Sequence, residues 1–383
     1  MVTTKNADNA LKTFYLDAVA KSIDMKTNPF LAQIERTSVG VSGKEVRKLV
    51  RVGVNGAVGV GSETGDLPKS RDSQYVQYVA PLKNIYGTIE ISDKALRASQ
   101  SDEGALVNLL NTEMEGLVES AKYQFDRMLF GNGNSYLTTI LSFDGNVATV
   151  ESTAPLAEGM VVTFSSMGVT VKDVVIQKVD RIAQSITFDE SVDVSKFTST
   201  VAVYANYDMP ELLGLEALFE NSTLYGLKKA EHPFMKSYCV EGVEDFSEDV
   251  LLRVMDRLEE MSGRKINMIL CSWGVRRAIE YYFNGMGAPL PVEDLGNGFK
   301  VLTYKGIPIV PNRFCAKGTM YLVNTDDFKL CQLCDWQWLE GEDGTILRQV
   351  PGKPVYTATL VKYAELICER PNGQGKITGI VED

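Results

Sequence analysis

The stretch from Ser101 to Gly133 reads SDEGALVNLLNTEMEGLVESAKYQFDRMLFGNG. Within it Leu106, Leu110, Met114, Leu117, Ala121, Phe125 and Met128 recur every three or four residues, the spacing of one helical face. That spacing predicts one unbroken helix of about 28 residues, about 42 Å long at the standard rise. Glu113, Glu115 and Glu119 occupy its other faces, and Gly131-Asn-Gly133 ends it.

Ahead of this helix the texture is extended. Val46, Lys48, Val50, Val52 and Val54 alternate with Arg47, Leu49 and Arg51, the period-two pattern of a strand. A return strand is expected from about Gln74 to Ile91, with a glycine-rich tip between Asn55 and Pro68. So long a hairpin lacks partners in its own sequence neighbourhood, and isolated hairpins are marginal in water. It should therefore lean on something else. Further upstream, Leu11, Phe14, Tyr15, Ala18 and Val19 predict a short amphipathic helix, broken at Asn28-Pro29.

After the helix the pattern changes. Between Tyr136 and Asp208, short Val/Ile/Thr/Phe runs separated by Gly, Asp and Ser predict a small all-β unit of five to seven strands, barrel or sandwich. Helix is expected to resume over Pro210–Phe219. An α/β section follows. Asp245-Phe-Ser-Glu248 reads as a capping box before a helix ended by Gly263, and Ile266–Leu270 is a short buried strand. Ser272 caps a second helix running through Phe283. A Gly/Pro-rich loop from Asn284 and Gly285 to Gly298 leads into late strands, including Tyr356–Cys368 and Lys376–Val381.

Composition narrows the function. A chain of 383 residues has room for two or three domains at roughly 150 residues each. With 44% apolar and 23% charged residues it has the make-up of a soluble globular protein. No run approaches the ~18 apolar residues of a membrane helix. Met1 to Asn9 is polar, unlike a secretory signal, so assembly in the cytoplasm is expected. The net charge of −11 argues against a protein that reads nucleic-acid sequence, since such proteins carry a basic face.

No catalytic constellation stands out, and no enzyme, metal or cofactor is expected. Cys331 and Cys334 form the one CxxC, but a zinc site needs four ligands and the chain has a single histidine, His232. Their segment, Phe328 to Trp338, reads as a strand. The glycines at 53, 56, 59, 61 and 65 fit neither a dinucleotide fingerprint nor a phosphate loop. Asp326-Asp327 reads as a turn.

The order of arm, long hairpin, very long helix, α/β unit and late strands resembles the major capsid proteins of tailed bacteriophages, the HK-ninety-seven-like fold. The resemblance is sharpest in Ile89-Glu-Ile-Ser-Asp-Lys-Ala-Leu96, the helix, and Tyr123-Gln-Phe-Asp-Arg-Met-Leu-Phe-Gly-Asn-Gly133. A second stretch runs from Tyr304-Lys-Gly-Ile-Pro-Ile-Val310 through Gly318 to Asp326. It implies an α+β fold with an N-terminal arm over 1–39, an extended E-loop hairpin over 40–82 and a P-domain with its spine helix over 83–135. An inserted β subdomain would follow over 136–208, and the P-domain would continue over 209–235. An A-domain is implied over 236–345, with C-terminal strands over 346–383 returning to the P- and A-domains. The insertion is a departure: the family passes almost directly to a "P-x-G-[IL]" step, here Pro210-Glu-Leu-Leu-Gly-Leu215.

The implied function is a self-assembling shell subunit, forming homo-pentamers and homo-hexamers of an icosahedral capsid around double-stranded DNA that it contacts non-specifically. A portal and a separate scaffolding protein are implied partners, since the residues before the arm leave no room for a cleaved scaffolding segment. No membrane partner is implied. An encapsulin-type compartment shell is the nearest alternative, a tail or decoration protein a more distant one. Arg47 and Arg51 of the hairpin, laid across a neighbour's Glu113, Glu115 and Glu119, would set register. Lys69 lies near the hairpin tip, but no motif locates a partner for the Lys–Asn cross-link that some relatives make. The loop at Asn284 and Gly285 is the candidate for the capsomer centre.

Overall fold

The computed structural model describes residues 28–61, 63–64, 69–94, 103–189, 192–197, 200–205, 209–294, 300–341 and 344–382, with helix side chains from Glu113 onward. The expected helix at Leu11–Val19, the side chains of Leu106 and Leu110, and residues 295–299 of the loop lie outside these. The predicted rod is present as one helix, Glu103–Phe130. Met114, Val118, Phe125 and Leu129 are its buried face, while Leu117, Ala121 and Met128 are half-buried. The buried stripe is thus rotated from the predicted one by about one residue.

The helix lies against a five-stranded sheet whose central strand is Val355–Cys368. On one side this strand pairs over ten residues with Lys83–Ser92; on the other it pairs with Phe328–Trp338 and Arg348–Gln349. Glu35–Thr37 adds a short parallel edge. Helix and sheet approach closely at Gly87, where a Cβ would stand 2.8 Å from Leu117 Cδ1. Asn28 is a cap with a second bond. Its Oδ1 accepts from Phe30 N at 3.0 Å, capping the turn Pro29–Gln33, and its Nδ2 donates to Asp126 Oδ1 at 3.0 Å. Phe30 is thereby seated between Phe130 and Phe328 in the core.

The segment after Pro210 differs from expectation. It is irregular as far as Gly214, and only Ala217–Glu220 is helical. The physical reason lies in its docking on the end of the spine helix. A Cβ on Gly214 would come within 2.4 Å of Met128 O and 2.5 Å of Leu129 O, and Leu215 N donates to Leu129 O at 2.8 Å. Glu211 holds Arg127 through both carboxylate oxygens. These contacts to another segment override local helix preference.

Between Gly133 and Pro210, six strands (Tyr136–Asp144, Val147–Val150, Val161–Ser166, Val169–Asp180, Ser185–Phe188 and Val201–Tyr204) close into a barrel. Phe164, Phe188, Ile176 and Val162 fill it as a separate core. Ala205 N donates to Ser135 O at 2.9 Å, so the barrel's two ends meet and the spine helix and the Pro210 step stay adjacent.

A seven-stranded sheet forms the remaining body. Its order is Tyr238–Val240, Gly375–Ile377, Met320–Val323, Met268–Cys271, Ile307–Pro311, Lys300–Tyr304 and Val292–Asp294. Helices Glu248–Ser262 and Trp273–Gly285 pack with it around Leu251, Val254, Leu258, Val275 and Ile279. Ser247, not Asp245, caps the first helix, accepting from Val250 N, and Gly263 ends it with φ of +68°. Ser272 caps the second as expected.

Candidate assembly surfaces

The hairpin is real but shorter than expected. Glu45–Val52 pairs in register with Gln74–Pro81 over eight residues, and Val41–Ser42 adds a short third strand. The return strand breaks at Leu82, where Leu82 N donates to Lys44 O, and Lys83–Ser92 leaves for the spine-helix sheet. One unbroken strand from Gln74 to Ile91 is therefore a correction: two sheets share that apolar run.

Alternation gives the hairpin two different faces. The inner face carries Val46, Lys48, Val50, Tyr78 and Ala80, and its root is fastened to the body. Tyr78 packs on Tyr225 with ring centroids 5.3 Å apart and donates to Glu369 O at 3.3 Å, while Lys48 pairs with the Glu369 carboxylate. Beyond the root, Val50 and Val52 stand over a cleft of about 710 Å³ shared with Phe234 and Met261. The outer face carries Arg47, Leu49, Arg51, Tyr75 and Gln77, all exposed. Leu49 is 64% and Tyr75 56% exposed. A face mixing large apolar groups with arginine has the make-up of a protein interface.

The eight residues singled out from the sequence occupy separate places. Arg47 is exposed, but its guanidinium bonds Glu45 at 2.5–2.6 Å within its own strand. Arg51 is exposed further along the same face, and Lys69 is exposed at the tip. Glu113, Glu115 and Glu119 are all exposed on the spine helix. Asn284 and Gly285 are exposed too, but they close the last turn of helix Trp273–Gly285 and so precede the loop they were assigned to. Part of that loop is the edge strand Val292–Asp294.

Sequence reasoning missed the root lock of Lys48, Tyr78, Tyr225 and Glu369, in which Tyr78 and Glu369 alone are 291 residues apart in the chain. It also missed a set of buried charges. Lys362 donates to Asp335 at 2.6 Å and Gln332 at 2.8 Å and faces the rings of Phe125 and Trp336. Glu365 is fully buried, accepting from Leu213 N at 2.9 Å, with Lys83 Nζ 3.9 Å away. Burial pushes its carboxyl up to about 7, with Lys83 opposing the rise. Burial likewise raises Asp126 to about 6 against the pull of its bond to Asn28. Cys331 is buried in strand Phe328–Trp338 and pushed up to about 11, so it stays a thiol. Asp327 is buried, bound to Arg264 at 3.2 Å and Gln374 at 3.3 Å. Among the described residues, no three or more His, Cys, Asp or Glu side chains gather as metal ligands would.

A projecting hairpin, spine helix, strand-rich P-domain and α/β A-domain define the HK-ninety-seven-like fold of capsid proteins. The chain matches a chain of the cyanophage A-1(L) capsid asymmetric unit at a TM-score of 0.53 and 13% identity, covering 92% of this chain and 93% of that one. The capsid of a native GTA particle matches at TM-score 0.49 and 12% identity, covering 92% and 90%. The SrpI encapsulin of Synechococcus elongatus PCC 7942, in its holo complex, matches at 0.47 and 10%, covering 93% and 89%. Neither a family model nor a curated protein matches the sequence.

Proposed function

We propose that this chain is the major capsid subunit of a tailed phage, assembling into pentamers and hexamers of an icosahedral shell around double-stranded DNA. The observation that carries the reading is the outer face of the hairpin: fastened at its root, it presents Leu49, Arg51 and Tyr75 to solvent on a body that has a capsid fold. A subunit that needs another to cover such a face, and offers a different surface in return, makes heterologous contacts, which close into rings. In this reading Asn284, Gly285 and the loop after them lie near the ring centre, and the acidic net charge of −11 keeps the inner wall from sticking to DNA. A portal and a separate scaffolding protein complete the particle.

Negative-stain microscopy and sedimentation of the purified chain, with and without candidate scaffolding proteins, test this. Closed icosahedral shells are the expected result. A chain that stays monomeric under every condition would overturn it. Particles carrying a cargo peptide and no portal would assign the chain to a cargo compartment instead.

A further inference from the structure

We infer that a cationic cleft, where the seven-stranded sheet meets the spine helix, binds one unpaired nucleotide, its phosphate on Arg276 and Arg313 and its base on Trp273. The cleft lies within a single subunit, so the inference does not depend on assembly. It has a volume of about 620 Å³ and is bounded by helix Trp273–Gly285, strands Lys300–Tyr304 and Ile307–Pro311, and Asp126 of the spine helix. That volume is in the range of small-molecule sites. Rings hold both arginines. Arg276 Cζ lies 5.6 Å from the Trp273 ring centroid, and Arg313 Cζ lies 5.1 Å and 5.6 Å from those of Tyr123 and Phe314. Stacking occupies the face of a guanidinium and leaves its N–H edge to donate. Among the described residues, neither arginine forms an ion pair, nor does Lys300 beside them, and the buried Nε of Arg276 has no acceptor.

Asn312 adds a neutral donor. It is 9% exposed, its Oδ1 accepts from Phe314 N at 2.8 Å, and its Nδ2 has no acceptor among the described residues. Two acids also line the cleft, but Asp126 is buried and takes the amide of Asn28. Three cations and an amide therefore face the one remaining carboxylate, Glu280, on a chain whose net charge is −11. Two guanidinium edges and an amide suit the several oxygens of a phosphate. The aromatic wall adds the second half of the recognition. Trp273 is 52% exposed although Arg276 lies over its ring, so part of the ring is open to a flat partner. A nucleic-acid base stacks on such a ring only when it is unpaired, which selects a free nucleotide or a single strand over a duplex.

Tryptophan fluorescence of the full-length chain reads the site, because Trp336 and Trp338 are only 3% and 4% exposed and Trp273 alone meets solvent. Saturable quenching by thymidine monophosphate and by a short oligo-dT is expected, with inorganic phosphate at least about tenfold weaker. Arg276→Gln and Arg313→Gln should each weaken the nucleotide by about tenfold or more. Arg253→Gln removes the same charge from an exposed pair with Asp249 outside the cleft and should change nothing. Thermal melts check folding, and the exposed Arg313 keeps the test valid should Arg276→Gln fail to fold. Tighter binding of oligo-dT than of the mononucleotide would make a single strand the source; equal binding would make it the free nucleotide. Quenching that never saturates, equal affinity for inorganic phosphate, an unchanged affinity in folded Arg313→Gln, or preference for a glutamate-rich peptide would each overturn the site.

Discussion

The outer face of the hairpin can be weighed against assembly directly. Leu49 and Tyr75 lie diagonally across the ribbon on its exposed side. Full burial of such a side chain is worth about 1.5–3 kcal/mol, and with 64% and 56% of the two residues still exposed, about 1–2 kcal/mol each remains to be gained on contact. The double variant Leu49→Ser, Tyr75→Ser should therefore lose about 2–3 kcal/mol per contact, a fall of about 30- to 150-fold in each association constant. Since both side chains face solvent in the monomer, its stability should move by no more than about 0.5 kcal/mol. Light scattering against protein concentration gives the threshold for assembly, and a thermal melt of dilute monomer gives the control. Assembly at an unchanged threshold, with an unchanged melt, would refute the claim that this face is covered by a neighbour.

Three further outcomes are expected. Arg51→Glu should weaken assembly by about 0–1 kcal/mol per contact, an effect that fades at high salt, and adding Arg47→Glu should contribute less because Arg47 already bonds Glu45; salt titration of the assembly threshold checks both. Gly214→Ala should destabilise the monomer by at least about 3 kcal/mol, since its Cβ would fall 2.4–2.5 Å from two carbonyl oxygens of the spine helix, and chemical denaturation reads the loss. Glu365 has its pKa raised from 4.5 to about 7, so the unfolded chain releases that proton first and stability falls as pH rises between those values, by about 3 kcal/mol. Glu365→Gln should lack this fall. A stability difference between the two proteins that is the same at pH 5 and pH 8 would contradict it.

Elements whose partners are local, or whose period is long, could be read directly. The three- and four-residue spacing of its apolar residues made the spine helix legible as one unbroken rod, and the helix ends at Phe130 as the glycines predicted. Ser272, Gly263 and the strand Phe328–Trp338 were equally legible, because caps and alternation depend on neighbours within a turn or two. The six-stranded barrel was expected as a β unit, but whether it closes depends on Val201–Tyr204 meeting both Tyr136–Asp144 and Val161–Ser166, contacts no local pattern encodes.

What the chain's order of residues determined alone is the inventory: a rod, a ribbon, a β insertion and an α/β body, with the charge that suits a container. Tertiary structure decided how these share partners. It split the run from Gln74 to Ile91 between two sheets, denied Pro210–Gly214 its helix, and turned Leu49, Arg51 and Tyr75 outward while locking Lys48 and Tyr78 inward. The physical reason is the same each time. Period and propensity act over a few residues, whereas the face that a strand buries is chosen by side chains hundreds of positions away.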